Sequence, residues 1–142
     1  MPSYSSENLS NNSKRATRIY KDLDLDFCRN IVTNDVNKLT DVEAVKRTVR
    51  NLINTNHFER PFHPEIGGNV RALLFENITP LTALNLQRKI EEVLNNFEPR
   101  AKITQILADP YIDRNGYRLE IKFYFIGIQN PITVETFLER LR

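Results

Sequence analysis

The chain has 142 residues, a formal net charge of +2, 40% hydrophobic residues and 27% charged residues. These values are typical of a single globular domain with one core. A net charge so close to zero provides no strong field for nucleic acid or an acidic membrane, and no stretch approaches the roughly 18 apolar residues of a membrane helix. Cys28 is the only cysteine, which excludes an intrachain disulfide and a zinc site built on cysteines. We therefore expect neither a nucleic-acid nor a membrane partner.

The first residues differ in composition from the rest of the chain. Residues 1–16 are rich in Ser and Asn and poor in apolar groups, so we expect an arm that is disordered alone or ordered only against a partner. This start has no apolar core of the kind a signal peptide carries. Residues 17–142 are predicted to form one domain. Near its start, Leu23, Leu25 and Phe27 alternate with aspartates, the period-two pattern of a short, half-buried strand.

A first helix is predicted over residues 41–54. Thr40 and Glu43 have the spacing of a capping box, in which each side chain bonds the other residue's backbone. The apolar positions that follow form one helical stripe: Val42, Val45, Val49, Leu52 and Ile53. The opposite face carries basic residues and is interpreted as solvated surface: Lys46, Arg47 and Arg50.

Two more helices are predicted before residue 100. A short one spans 70–75, after a loop rich in proline and glycine. A long one runs to about residue 97, with Thr79 as N-cap and Pro80 at the first helical position, where a missing N–H has no consequence. Pro99 ends it, because the residue before a proline is pushed out of the helical region.

Two strands are predicted over 102–109 and 117–128, joined by Asn115-Gly116, the preferred chemistry of a tight hairpin turn. One face of the second strand is apolar: Tyr117, Leu119, Ile121, Phe123 and Phe125. The segment 131–142 is ambiguous, since its apolar residues have helical spacing but its β-branched run also suits a strand. The fold class is therefore α+β, a small domain with about three helices packed on an antiparallel hairpin sheet.

No catalytic or metal motif is present. His57 and His63, the only histidines, lack the spacing of common metal ligands. A glycoside hydrolase needs two carboxyl groups about 5–10 Å apart, one with a raised pKa. The candidate carboxylates are Glu65, Glu76, Glu91, Glu92 and Glu98. Glu91 and Glu92 are expected on a solvated helix surface, which leaves Glu65, Glu76 or Glu98 for a muramidase, and structural or interface roles are favoured for all five. We therefore predict no catalytic residue, metal or cofactor.

The sequence Glu98-Pro99-Arg100 is unusual, because an acid at a helix C-terminus faces the negative end of the helix dipole. Proline fixes the chain so that the two charged residues project from a rigid corner. One interpretation is a helix stop with a surface ion pair. The other is a preformed polar contact for another protein.

Three segments in the same order carry a family resemblance: residues 60–67 (RPFHPEIG), 74–82 (LFENITPLT) and 96–100 (NFEPR). They resemble the baseplate wedge proteins of contractile-tailed phages, a family often labelled lysozyme-like that includes a baseplate component of type VI secretion systems. The likeness is strongest over 59–100 and extends over about 17–142.

The resemblance implies a structural sheath initiator whose fold is similar to the interlocking domain of the sheath subunit. The corner formed by Glu98, Pro99 and Arg100 would contact the helical core of the wedge, and segment 131–142 would be a strand. The implied partners are wedge core subunits and sheath protein, with other baseplate or tube proteins. The implied location is the virion tail baseplate, and the host cytoplasm during assembly.

The sheath contact is expected on the hairpin, where an apolar strand end is either covered by the C-terminal segment or reserved for a partner strand. The predicted sheath-strand interface comprises seven residues: Ile121, Phe123, Tyr124, Phe125, Ile126, Val134 and Phe137. Two alternatives stay open, a muramidase and a free-standing cytosolic binding module.

Overall fold

The computed structural model describes residues 20–126 and 128–140, so the predicted arm 1–16 lies outside the described residues. In chain order the elements are β1 (Lys21–Leu23), β2 (Lys38–Thr40), α1 (Asp41–Asn54), α2 (Val70–Leu73), α3 (Pro80–Phe97), β3 (Ala101–Tyr111), β4 (Gly116–Phe125) and β5 (Ile132–Glu139). The α+β class with three helices and an antiparallel sheet is confirmed. None of the described helices is long and apolar enough to span a membrane.

The main sheet has the order β3-β4-β5, and both pairings are antiparallel. β4 is the central strand, and its predicted alternation is confirmed. Every second side chain of β4 is buried: Tyr117, Leu119, Ile121, Phe123 and Phe125. Residues opposite these on the neighbouring strands share the inward face, as in the pairs of Ile121 with Ile106 and with Val134.

The helices cover this inward face. α1 and α3 contribute the apolar stripes that the sequence predicts, and the core residues of these two helices are Val45, Val49, Leu52, Ile53, Leu86, Ile90, Val93 and Leu94. α3 packs against β3, and α1 and α2 both pack against α3. The outward face of the sheet carries charged side chains such as Arg118 and Lys122.

The two long helices begin differently. The Thr79 hydroxyl accepts a hydrogen bond from the Thr82 N–H at 3.2 Å, as predicted for α3. The capping box predicted for α1 is wrong, because Thr40 makes no side-chain cap bond. Asp41 instead has a positive φ of 45° and exchanges bonds with Tyr20: its N–H donates to the Tyr20 carbonyl, and its carboxylate accepts from the Tyr20 N–H at 3.0 Å. A tertiary contact thus replaces the local one.

The turn that connects β3 to β4 is longer than the predicted tight turn at Asn115-Gly116. A 3-10 turn, Ile112–Arg114, precedes Asn115, whose φ of 50° places it in the left-handed region. Gly116 is already the first residue of β4, opposite Tyr111. The prediction of a two-residue turn is therefore wrong, although Asn115 does have the backbone conformation that asparagine tolerates.

The C-terminal segment is a strand, as the resemblance implies and against its helical spacing. β5 pairs with β4 from Gly116 opposite Glu139 to Phe123 opposite Ile132. Its β-branched residues suit a strand, and the pairing buries Val134 and Leu138 in the core.

The N-terminal ribbon is shorter and more exposed than predicted. β1 ends at Leu23, and the exposed fractions of Leu23, Leu25 and Phe27 are 58%, 50% and 68%. The turn after β1 is held by Arg47, which lies 3.1 Å from the Asp24 carboxylate and 2.5 Å from that of Asp26. Arg47 is therefore not simply solvated.

The two edges of the main sheet differ. β3 has a register irregularity between Ile103 and Gln105, and Pro110 lies near its end. A bulge and a proline both interrupt the row of groups that another strand would need. β5 pairs with β4 without interruption and contains no proline. Glu135 and Glu139 on β5 are exposed.

Gly116 generates a prediction about stability. A β-carbon there would lie 2.8 Å from Phe137 Cζ and would clash with the Leu138 carbonyl oxygen. We expect Gly116→Ala to lower the free energy of unfolding by about 1–3 kcal/mol, the range for overpacking. Chemical denaturation of the purified chain measures this. Asn115→Gly is the control, since glycine accepts the same left-handed backbone. Equal stability of the two variants would contradict the prediction.

Candidate functional site

The corner at the end of α3 is held by an ion pair between residues two apart. Arg100 Nε lies 2.6 Å from Glu98 Oε1, and Arg100 Nη2 lies 2.6 Å from Glu98 Oε2. The Arg100 backbone N–H also donates to Glu98 Oε1 at 3.3 Å. This two-pronged geometry is the strongest form of an arginine–carboxylate pair. Because Pro99 fixes the turn between them, the pair is preformed.

Arg100 is further held by residues distant in sequence. Its Nη2 donates to Thr48 Oγ1 of α1 at 3.4 Å, and its Nη1 lies 3.8 Å from Asp22 Oδ2 of β1. The guanidinium lies over the Tyr20 ring, 5.3 Å from the centroid, a cation–π arrangement. Hydrogen bonding to Glu98 raises the pKa of Arg100, so this group stays charged.

Burial assigns different roles to the three corner residues. Glu98 is 1% exposed, whereas Pro99 is exposed and Arg100 is half-buried. Glu98 therefore cannot contact a partner directly, and it positions Arg100 instead. The surface available to another protein consists of Pro99 and the outer part of the Arg100 guanidinium.

The predicted sheath-strand residues divide into two groups. Ile121, Phe123, Phe125 and Val134 are buried, with exposed fractions of 0%, 0%, 7% and 1%. They point towards the helices, and Ile121 and Phe123 are paired on both sides. The side chains of these four residues are therefore not available to another protein, but the backbone of Val134 lies on the edge strand β5, so a sheath contact through strand pairing stays a prediction.

The remaining three predicted residues are accessible. The exposed fractions of Tyr124, Ile126 and Phe137 are 39%, 62% and 37%. Phe137 lies on β5 and packs edge-on against Tyr111 of β3, with 6.2 Å between ring centroids. Their role in a sheath contact stays a prediction.

The surroundings of the carboxylates considered for catalysis do not suit a general acid. Glu65 and Glu76 are exposed, and bonds from its own backbone N–H and from His63 lower the pKa of Glu65. A general acid needs the opposite shift. Three cavities of the described surface have volumes of about 440, 180 and 180 Å³, and each is lined by one glutamate, Glu135, Glu139 or Glu91. None of the three is lined by Glu65, Glu76 or Glu98, and Glu91, which lines the third, is exposed on α3.

Sequence reasoning missed three residues of the corner: Tyr20, Asp22 and Thr48. For Thr48 a signal exists, since it lies three residues after Val45 and four before Leu52 and so borders the buried stripe of α1. Tyr20 and Asp22 reach the corner only because β1 pairs with β2 beside α1, which sequence alone does not indicate.

Three solved structures have a similar fold. A Geobacter sulfurreducens protein that carries the name of a tail lysozyme superposes with a TM-score of 0.65 at 18% identity, over 70% of this chain and 91% of its own. A chain of the anti-feeding prophage baseplate gives 0.61 at 22% identity, over 87% and 88%. A chain of the postcontraction pyocin R2 baseplate gives 0.57 at 18% identity, over 70% and 98%. At these identities the likeness concerns the fold alone.

Sequence comparison is more specific. A baseplate wedge protein of Enterobacteria phage T4, gp25, is 33% identical to this chain over 118 residues, which cover 83% of this chain and 87% of the T4 protein. The family model for the baseplate wedge protein gp25 matches residues 40–126, from the end of β2 to just beyond β4. The resemblance noted in the sequence is confirmed, and the chain belongs to the family of baseplate wedge protein gp25.

Proposed function

We propose that the chain is a structural wedge subunit of a contractile-tail baseplate, that it binds the wedge core through its corner, and that it offers the first sheath ring a strand edge. Family membership supports the baseplate role, since the T4 relative is named as a baseplate wedge protein and two solved structures are baseplates. The wedge-core contact is inferred from the preformed ion pair between Glu98 and Arg100. The chain would act in the virion tail, after assembly in the host cytoplasm.

A fixed arginine beside an exposed proline suits a contact with helices of another protein. Four groups already restrain Arg100, so little side-chain entropy is lost on binding. The Arg100 side chain keeps 22% of its surface exposed, and the second carboxylate near it, that of Asp22, lies 3.8 Å from Nη1, beyond hydrogen-bonding distance. A carboxylate or helix C-terminus on the wedge core would complete its coordination.

The sheath contact is assigned to β5. β4 has no free edge opposite β5, and the β3 edge is interrupted, so β5 offers the continuous row of backbone groups. An incoming sheath strand would pair with this row by β-augmentation, with Phe137 and Tyr124 on the outward face available to its side chains. Main-chain hydrogen bonds would provide affinity, and alternate side chains would fix the register.

The muramidase alternative is not favoured. Glu98 is engaged by Arg100, Glu65 has a lowered pKa and Glu76 is exposed. We therefore propose that the chain is not an enzyme, in keeping with the structural names of its wedge relatives. A free-standing module predicts absence from particles, which mass spectrometry of purified tails would detect.

The corner generates a prediction that separates folding from assembly. Arg100→Ala leaves the buried Glu98 carboxylate without its partner, so we expect a loss of stability near the lower end of about 3–5 kcal/mol. The double variant Glu98→Leu/Arg100→Met removes both charges and should regain most of that stability, yet still fail to enter wedges. Thermal denaturation and co-purification with the other wedge proteins measure the two effects.

Lys89→Ala is the matched control for the corner, since it breaks the exposed Lys89–Glu92 pair on the same helix, 3.0 Å long, and should change stability by less than about 1 kcal/mol. If the double variant assembled into wedges at wild-type levels, the corner would have no role in wedge binding and would serve only to end the helix.

A second prediction concerns the β5 edge. Backbone N–H groups of adjacent strand residues point to opposite sides of the strand. Proline has no N–H, so one of the two variants Glu135→Pro and Thr136→Pro loses a hydrogen bond to β4, and the other loses an N–H group at the free edge of β5. The variant that keeps the stability of the isolated chain should enter baseplates but give tubes without sheath in electron micrographs. The other variant is its control for misfolding. Normal sheath on baseplates carrying the stable variant would refute strand addition at β5.

A third prediction concerns catalysis. Purified chain should release no more soluble glycan from murein than Glu65→Gln, Glu76→Gln or Glu98→Gln variants prepared in the same way, because Glu65 has a lowered pKa, Glu76 is exposed and Glu98 is paired with Arg100. Reducing-sugar release over time measures this. Turnover that one of the substitutions abolishes would establish the muramidase instead.

A further inference from the structure

The loop between α1 and α2 presents two aromatic rings to solvent. We call residues 56–68 the aromatic loop. Phe58 is 84% exposed and Phe62 is 97% exposed, and neither belongs to the core or to the apolar residues packed on it. Fully burying a phenylalanine side chain stabilises a folded or bound state by about 1.5–3 kcal/mol. Within the described part of the chain, neither ring gains the stabilisation that burial would give it.

The backbone conformation at both rings is unfavourable for phenylalanine. The φ angles of Phe58 and Phe62 are 67° and 68°, in the left-handed region where a bulky residue is a rare exception. Glycine would occupy either position without this strain. Since the rings do not stabilise the core, the presence of phenylalanine at two strained positions points to a contact outside the chain.

The aromatic loop is braced so that both rings are held in place. The Phe58 N–H donates to the Pro64 carbonyl at 3.0 Å, and the Gly68 N–H donates to the Thr55 carbonyl at 3.2 Å. At its base the Glu59 carboxylate accepts from the backbone and side chain of Asn56 at 2.9 and 2.6 Å, and these bonds lower the pKa of Glu59. A braced loop loses little conformational entropy when it binds.

The aromatic loop carries charges of both signs, but its carboxylates already have partners. The Glu59 carboxylate is hydrogen-bonded by the Asn56 amide, and that of Glu65 by His63 at 3.1 Å. Arg60, between the two rings, is exposed and makes no ion pair with any residue that the structure describes. A complementary surface would place carboxylates around an apolar groove.

From these observations we propose that the aromatic loop inserts Phe58 and Phe62 into an apolar groove, bordered by carboxylates, on a neighbouring protein subunit of the baseplate. This interface rests on the baseplate role proposed above but is separate from the corner. Thr48 of α1 contacts Arg100, and Thr55 follows α1 directly before the aromatic loop. The two are separated by about two helical turns, roughly 10 Å along the axis.

The test uses a photoreactive benzoylphenylalanine, which retains an aromatic ring, at position 62 of the full chain in purified baseplates. Irradiation should cross-link it to a segment of another subunit that combines apolar residues with Asp or Glu, identified by mass spectrometry of the cross-linked peptides. The same amino acid at Asn95, exposed on α3, is the control and should cross-link at least tenfold less to that segment. Baseplates that contain the position-62 variant at wild-type amounts without a cross-link would overturn the proposal, as would a cross-link only to a second copy of this chain.

A second measurement separates docking from folding. Phe58→Gly/Phe62→Gly should leave the isolated chain at least as stable as the wild type, because it relieves two strained positions, while its incorporation into baseplates falls at least tenfold. Arg60→Glu should also reduce incorporation, whereas Arg60→Lys retains it. Normal incorporation of the double glycine variant would overturn the loop contact and leave the wedge role intact. Absence of the wild-type chain from purified baseplates would overturn both.

Discussion

The structure depends on the central position of β4. Its inward side chains are fully buried under the helices, and its backbone is paired on both sides, with β3 over its whole length and with β5 over most of it. Strand pairing and core packing therefore reinforce one another at the same residues. β5 has only one neighbour in the sheet, yet it places Val134 and Leu138 in the core. β5 is therefore an edge strand: one side of its backbone pairs with β4, and the other side has no neighbour in the described sheet.

The corner links the helical layer, the sheet and the N-terminal ribbon. Glu98 and Arg100 lie between α3 and β3, and Thr48 lies on α1. The Tyr20 ring contacts the Arg100 guanidinium and forms a T-shaped pair with the Phe125 ring, with 6.0 Å between centroids. The ion pair is local in sequence, but its surroundings come from elements far apart along the chain. Any partner that bound Arg100 would therefore depend on the correct packing of these elements, because they hold the guanidinium in place.

Features that depend on residues close together in the sequence could be predicted, whereas features that depend on residues far apart in the sequence could not. Periodicity located α1, α3 and β4 because each buries one regular face. β5 required the family resemblance, since Val134, Phe137 and Leu138 fit either period. The cap at Thr40 failed because Asp41 bonds Tyr20 across the ribbon. The corner was recognisable from its unusual order of charges, but the burial of Glu98 and the inward direction of four predicted contact residues depended on tertiary packing.

The unequal edges of the sheet also set how far the chain can associate with itself. Copies with two open edges could add to one another without limit, whereas the bulge and proline of β3 leave one edge for pairing and stop any such row at two. Even that pair would bring the exposed acidic residues of two β5 strands together, an unfavourable arrangement of like charges. The described sheet is thus asymmetric: it offers one continuous edge, and this arrangement resists the growth of a filament made of the chain alone.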